Sequence, residues 1–131
     1  MLSRKITFRV RYAETDQMGV VYHGNYAQYL EMGRIAWLRS FGLSYREMEE
    51  NGIMLPVIQL QLNFKKSALF DDELTLETSL KELPTVRIAF GYSLTNQHQE
   101  IVATGSTDLV FMDVNRKRPM RCPEYILKKL R

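Results

Sequence analysis

One helical stripe set among strand-period segments constrains this 131-residue chain more than any other feature. Tyr26, Leu30, Gly33, Trp37 and Phe41 fall at spacings of four, three, four and four. That draws one apolar line down a helix from Asn25 to Phe41. The other apolar runs alternate with a period of two. Ile6, Phe8, Val10 and Tyr12 alternate with Thr7, Arg9 and Arg11, which predicts a first strand with one buried face. Four further strands follow the helix: Ile58, Leu60, Leu62, Phe64; Leu74, Leu76, Leu80; Val86, Ile88, Phe90, Tyr92, Leu94; and a last one from Ile101 to about Met112. One long helix and five half-buried strands hide their apolar faces best against each other. The expected fold is therefore α+β, a five-stranded antiparallel sheet curled around a long central helix.

Punctuation refines this. Gly33 inside the stripe weakens a helix by about 1 kcal/mol relative to Ala, so close packing of the backbone is expected there. Glu31 and Arg34, three apart, are placed to pair on the outer side. Gly42 ends the helix. Ser44 and Glu47 have the spacing of a capping box for a short second helix through about Glu50, which Asn51-Gly52 stops. The connectors Asp71-Asp72, Leu83-Pro84-Thr85 and Asn96 to Gln99 are short, which predicts an antiparallel meander. Ala103, Gly105, Ser106 and Thr107 leave room beside the last strand for the helix or a ligand. Pro119 and Pro123 interrupt a basic loop, and Tyr125 to Leu130 can form a final helical turn. The length fits a single domain over residues 1–131.

Composition excludes several classes. With 45% hydrophobic and 25% charged residues the chain is ordinary for a globular protein, which argues against disorder or a disulfide scaffold. No run approaches the ~20 apolar residues of a spanning helix, and Met1 to Ile6 enters a strand pattern instead of a signal core. Together with a single cysteine, Cys122, this predicts a cytoplasmic protein. That lone cysteine and two histidines 75 positions apart provide no metal-ligand spacing, so no metal is expected. The net charge of +3 is unevenly spread: residues 116–131 carry a net +6 and residues 1–115 a net −3. A basic end on a mildly acidic body can attract a phosphate-bearing ligand, nucleic acid or an anionic surface, or be a solvated tail. Few aromatics lie in that segment for base stacking, so nucleic acid is not an expected partner.

The stretch Tyr12-Ala13-Glu14-Thr15-Asp16-Gln17-Met18-Gly19-Val20-Val21-Tyr22-His23-Gly24-Asn25-Tyr26 gathers two carboxylates, a histidine and two glycines just ahead of the helix. Helix N-termini present unpaired N–H groups and partial positive charge, which favour a carbonyl oxygen becoming an anion. Attack on a carbonyl is the chemistry this favours. The N–H groups around His23 and Gly24 are candidate oxyanion donors, Asn25 a candidate N-cap, and an acid upstream a candidate nucleophile or general base. Each residue also has a plainer role. Asp16 can stabilise a turn, His23 can cap or pack, Tyr22 and Tyr26 can be wall, and Glu14 can be a solvated face.

This stretch resembles the signature of the 4-hydroxybenzoyl-CoA thioesterase family of hotdog-fold proteins, especially its branch of small bacterial acyl-CoA thioesterases. Phe64-Lys65-Lys66-Ser67-Ala68 with Asp71-Asp72, and Ala103-Thr104-Gly105 leading to Val110-Phe111-Met112-Asp113, are similar as well. The resemblance covers nearly the whole chain. It implies a hotdog domain that cleaves the thioester of an acyl-coenzyme A, with coenzyme A as part of the substrate and no separate cofactor. It further implies a homodimer whose sheets join, often paired into a homotetramer, with the site at the dimer interface. By the same resemblance Asp16 attacks the carbonyl or activates water, the His23 N–H polarises the carbonyl, and the His23 side chain and Tyr22 shape the site. Asn25 is a further polar candidate and Glu31 the reserve acid. Lys65, Lys66 and Ser67 are candidates for the nucleotide part of coenzyme A, with Arg87 or Arg116-Lys117-Arg118 adding charge. Two alternatives stay open: a thioesterase acting on an acyl carrier protein docked at the basic end, and a non-catalytic acyl-CoA-binding hotdog protein. Met18, Met32 and Met54 can line an acyl pocket or fill the core.

Overall fold

Alternation along each strand sends one row of side chains toward the helix. The computed structural model describes residues 2–131, and Met1, where the N-terminal strand pattern begins, lies outside the described residues. Strands β1 (Leu2–Arg9), β3 (Val57–Phe64), β4 (Glu73–Leu80), β5 (Arg87–Thr95) and β6 (Ile101–Val110) form one antiparallel sheet in the order β1-β4-β5-β6-β3. Leu74, Leu76 and Leu80 of β4 and Ile88, Phe90, Tyr92 and Leu94 of β5 are buried, as the period of two predicts. Helix α1 (Tyr26–Ser40) lies across that face. Its Trp37 is wholly buried with its ring 5.0 Å from Phe90. The room beside Gly105 is taken by the helix, whose Leu30 reaches toward it, and by β3.

Gly33 is where helix and sheet approach most closely. A Cβ there would stand 2.5 Å from Thr78 Oγ1 and 2.6 Å from Leu76 Cδ2. Gly33→Ala gains up to ~1 kcal/mol of helix propensity but forces overpacking that costs ~1–3 kcal/mol. The expected result is a net loss of up to about 2 kcal/mol in urea unfolding.

The meander holds for β4, β5 and β6 but not for β3. β1 occupies the free edge of β4 in unbroken register from Leu2↔Leu80 to Arg9↔Glu73, so β3 pairs with β6 instead. Residues 65–72 therefore carry the chain across to β4, past the start of α1. There Ala68 is wholly buried, Val21 N–H donates to Ala68 O at 2.8 Å, and Val20 bridges Leu69. The first strand also stops early. Glu14 takes the Arg11 N–H and bends the chain into a 3-10 turn, Tyr12–Glu14, leaving Tyr12 77% exposed.

Arg34 does not pair with Glu31. It stands four residues after Leu30 and three before Trp37, on the buried side of α1, and turns inward while Glu31 stays exposed. Helix α2 (Tyr45–Glu50) is capped by Ser44, whose Oγ accepts the Glu47 N–H at 3.1 Å. A second small sheet of β2 (Ile53–Met54), β7 (Met112–Asp113) and β8 (Arg118–Pro119) has strands too short to leave a period in the sequence. Helix α3 (Glu124–Leu130) docks through Ile126 and Leu130, and Lys129 Nζ donates to Gly42 O at 2.9 Å, so part of the basic end is tied to the fold. No helix among the described residues is long and apolar enough to cross a membrane.

Candidate active site

Between β1 and α1 the chain makes a tight excursion that carries Asp16. Thr15 bridges Val21, Asp16 N–H donates to Val20 O at 2.8 Å, and Gly19 closes the turn at φ +80°. Asp16 is exposed, and its Oδ1 accepts the Met18 N–H at 2.9 Å. It thus stabilises its own turn, while Oδ2 has no partner among the described residues.

The return leg leads into the helix. His23–Asn25 form one 3-10 turn directly ahead of α1. Asn25 is already helical, at φ −82° and ψ −15°, so it does not act as the N-cap. Its Nδ2 instead donates to Glu14 O at 2.8 Å, the same oxygen that accepts the Tyr22 N–H at 2.9 Å. The Asn25 N–H turns back to Tyr22 O, and that of Tyr26 to His23 O. The N–H groups of His23 and Gly24 have no acceptor among the described residues, which leaves two donors free where the helix is electropositive. The Tyr22 ring lies 4.4 Å from the His23 imidazole and crosses Gly24 so closely that a Cβ there would come within 2.6 Å of it.

Glu14 is no solvated face. Its side chain is 14% exposed, Oε1 accepts from Tyr29 Oη at 2.9 Å and Arg11 N at 2.8 Å, and Oε2 accepts from Arg11 Nε at 3.0 Å. Burial pushes this carboxyl up, but the hydrogen bonds from Arg11 and Tyr29 outweigh it and hold the group below its ordinary 4.5. Burial, and then Glu14 itself, push the Tyr29 hydroxyl up. A depressed carboxyl stabilises the fold fully above its unfolded pKa, and the effect disappears as pH falls through the folded value. Glu14→Gln should therefore cost about 2 kcal/mol at pH 7 and progressively less as the pH falls below 4.5, measured by denaturant unfolding across that range.

Next to the helix start a cleft of about 310 Å³ is walled by Val21, Tyr26 and Phe64, with His23, Lys65, Lys66 and Ser67 at its polar side. The crossing segment therefore brings His23 together with all three residues of the Lys65-Lys66-Ser67 run. The backbone N–H groups of Lys65 and Lys66 share Val102 O, at 2.9 and 3.1 Å. Lys66 Nζ pairs with Glu100 at 2.7 Å, whereas Lys65 has no carboxylate partner among the described residues. Asp16, Tyr22 and Asn25 border the helix start without lining this cleft. Arg87 is not brought to it. It faces Val110, pairs with Asp108 at 3.8 Å, and lies about 26 Å along β6 from Val102 at ~3.3 Å per residue. Arg116 and Lys117 lie in the turn between β7 and β8, and Arg118 begins β8. Glu31 lines a second cleft of about 310 Å³, reached by the Val57 end of β3.

The chain matches the family model described as Thioesterase-like superfamily over residues 10–130. It is 31% identical over 117 residues to YneP of Bacillus subtilis (strain 168), which is provisionally named an acyl-CoA thioesterase, with 89% of this chain and 85% of that one covered. The solved structure of DHNA-CoA thioesterase from Staphylococcus aureus is similar at a TM-score of 0.89 and 36% identity, covering 95% of this chain and 84% of that one. A hypothetical protein, TT1821 from Thermus thermophilus, is similar at a TM-score of 0.89 and 37% identity, covering 96% and 95%. The sheet and central helix are thus the hotdog arrangement.

Proposed function

The chain belongs to the thioesterase-like superfamily, and from that membership we propose that it hydrolyses an acyl-coenzyme A to the free acid and coenzyme A. The observation that carries this reading is the pair of unclaimed N–H groups at His23 and Gly24, beside a lysine-lined cleft and a loop bearing an exposed carboxylate. The thioester carbonyl oxygen lies against these two donors, which stabilise the negative charge it gains on attack. Asp16 supplies the attacking oxygen, either its own, which forms an acyl–Asp16 anhydride that water then hydrolyses to the free acid, or that of a water it deprotonates. The thiolate of coenzyme A leaves and takes up a proton. Tyr22 and His23 orient the acyl group, and Asn25 holds the helix start to the loop. Lys65, with Lys66 and Ser67, attracts the phosphates of the nucleotide part.

The working unit is a homodimer. β3 is an eight-residue edge strand, and on its helix-facing side Leu60 and Phe64 are 46% and 52% exposed. An apolar, unpaired edge of that length pairs with another strand unless something blunts it. A second copy laid antiparallel along β3, with a two-fold axis at Gln61 so that helix-facing residues oppose helix-facing residues, continues the sheet and covers those side chains. Residues from both copies then border each site. Cys122 is buried without a disulfide partner, which supports a reducing, cytoplasmic setting.

Assay of thiol release from short, long and aromatic acyl-CoAs tests the reading. Burial pushes the Cys122 thiol up to about 11, so the protein itself adds little to the signal. Hydrolysis of at least one class is expected; tight coenzyme A binding with no turnover anywhere would replace the enzyme by a binding protein. The basic hairpin at Arg116-Lys117-Arg118 favours one second reading, an acidic carrier protein in place of coenzyme A. One acyl group compared on both carriers separates the two.

A further inference from the structure

The second cleft has a buried cation at its base, with which no carboxylate among the described residues is paired. Arg34 is 6% exposed. Its Nε donates to Tyr45 Oη at 3.2 Å and its Nη1 to Tyr92 Oη at 3.3 Å, and Tyr92 Oη is itself bonded to Thr107 Oγ1 at 2.6 Å. No carboxylate among the described residues forms an ion pair with it. Nη2 has no hydrogen-bond partner there either, and it is not sealed in, because Thr78 Oγ1 is the one fully enclosed unpartnered side-chain atom. Arg34 lines the cleft, and Nη2 is its nitrogen left without a hydrogen-bond partner.

A guanidinium withdrawn from water without a counter-charge is unfavourable, and two phenols offer it only dipoles. Its remaining donors match an oxygen anion, or a hydroxyl, in fixed geometry. The rest of the cleft is mostly apolar, through Ile53, Met54, Leu55 and Val57, and its volume suits a ring or a short chain. Glu31 and Glu49 also line it, but both are exposed and screened by solvent.

Val57 at one end of β3 lines this cleft, and Phe64 at the other end lines the cleft beside His23. With the two-fold axis at Gln61, the bulge at Ile58 sets the partner's Val57 opposite Phe64 on the helix-facing side. The acyl group leaving the thioester cleft then enters the second cleft of the other copy.

We propose that the partner's Arg34 reads the acyl group, which carries an acidic oxygen, a carboxylate or an aryl hydroxyl, at the end remote from the thioester. This rests on the acyl-CoA reading and on the β3 dimer. The guanidinium hydrogen-bonds that oxygen, and the apolar walls hold the carbon skeleton between it and the thioester.

The test compares kcat/KM for two matched pairs: hexanoyl-CoA with the mono-CoA ester of hexanedioic acid, and benzoyl-CoA with 4-hydroxybenzoyl-CoA. The wild-type dimer should prefer the oxygen-bearing member of at least one pair by tenfold or more, and the pair that responds identifies the group. Arg34→Met should bring that ratio toward one, chiefly through KM, and Arg34→Lys should keep part of it. If Arg34→Met does not fold, Arg34→Lys and Tyr45→Phe read the same ratio. Mixing Asp16→Asn with Arg34→Met protomers should recover the preference, because one site of each hybrid then has Asp16 from one copy and Arg34 from the other. No preference in either wild-type pair, an unchanged ratio in the Arg34 variants, or hybrids that do not recover it would each overturn the proposal. Failure to hydrolyse all four compounds while a long-chain acyl-CoA is turned over overturns this inference alone, whereas no hydrolysis of any acyl-CoA removes the acyl-CoA reading and this inference with it.

Discussion

Asp16→Asn should lower kcat for acyl-CoA hydrolysis by about 10³-fold with little change in KM, within the range that a positioned base or nucleophile supplies. The substitution is clean for a structural reason. The Asp16 oxygen that accepts the Met18 N–H at 2.9 Å has a counterpart in the asparagine carbonyl, so the turn closed by Gly19 survives. What is lost is the basic, nucleophilic oxygen. Steady-state kinetics beside circular dichroism make the comparison, and a folded variant keeping more than a tenth of wild-type kcat would remove Asp16 from the chemistry. Single turnover in ¹⁸O-labelled water then detects direct attack followed by hydrolysis at the Asp16 carbonyl, since that route alone leaves the label in Asp16 and an unlabelled Asp16 oxygen in the first product molecule.

The second large effect is expected at Leu60→Glu. Leu60 is nearly half exposed on the edge strand, so the change costs the isolated fold no more than about 0.5 kcal/mol. In the dimer the two introduced carboxylates lie on either side of the two-fold axis, each buried against the apolar side chains that had covered Leu60. Light scattering should show a monomer, and kcat/KM should fall roughly a hundredfold, because positioning the acyl group needs both copies. A folded monomer with full activity would place the whole site within one chain.

Much of the framework is legible in the residues. The stripe from Tyr26 to Phe41 and the alternation of β4 and β5 identify helix, strands and buried faces, because burial on one side imposes those periods directly. Pairing is not so encoded. Nothing in the alternation of β3 says that β1 has already taken the neighbouring edge of β4. Arg34 shows the reverse case. Its spacing from Leu30 and Trp37 places it on the inner face, but a charged side chain reads as outward unless position outweighs residue type. Glu14 was illegible for another reason, since Tyr29, which fixes its environment, stands fifteen residues further on, in a different element. At Asp16 a tight turn and a catalytic acid require the same residue, and the structure shows the first of these roles directly.

The cleft beside His23 is closed by two stretches of chain more than forty residues apart in sequence, stitched where Val21 and Val20 meet Ala68 and Leu69. Such a seam has no autonomous melting step. Heat or denaturant that frees the crossing segment also undoes the sheet it connects, so catalytic competence and the global fold should disappear along one curve.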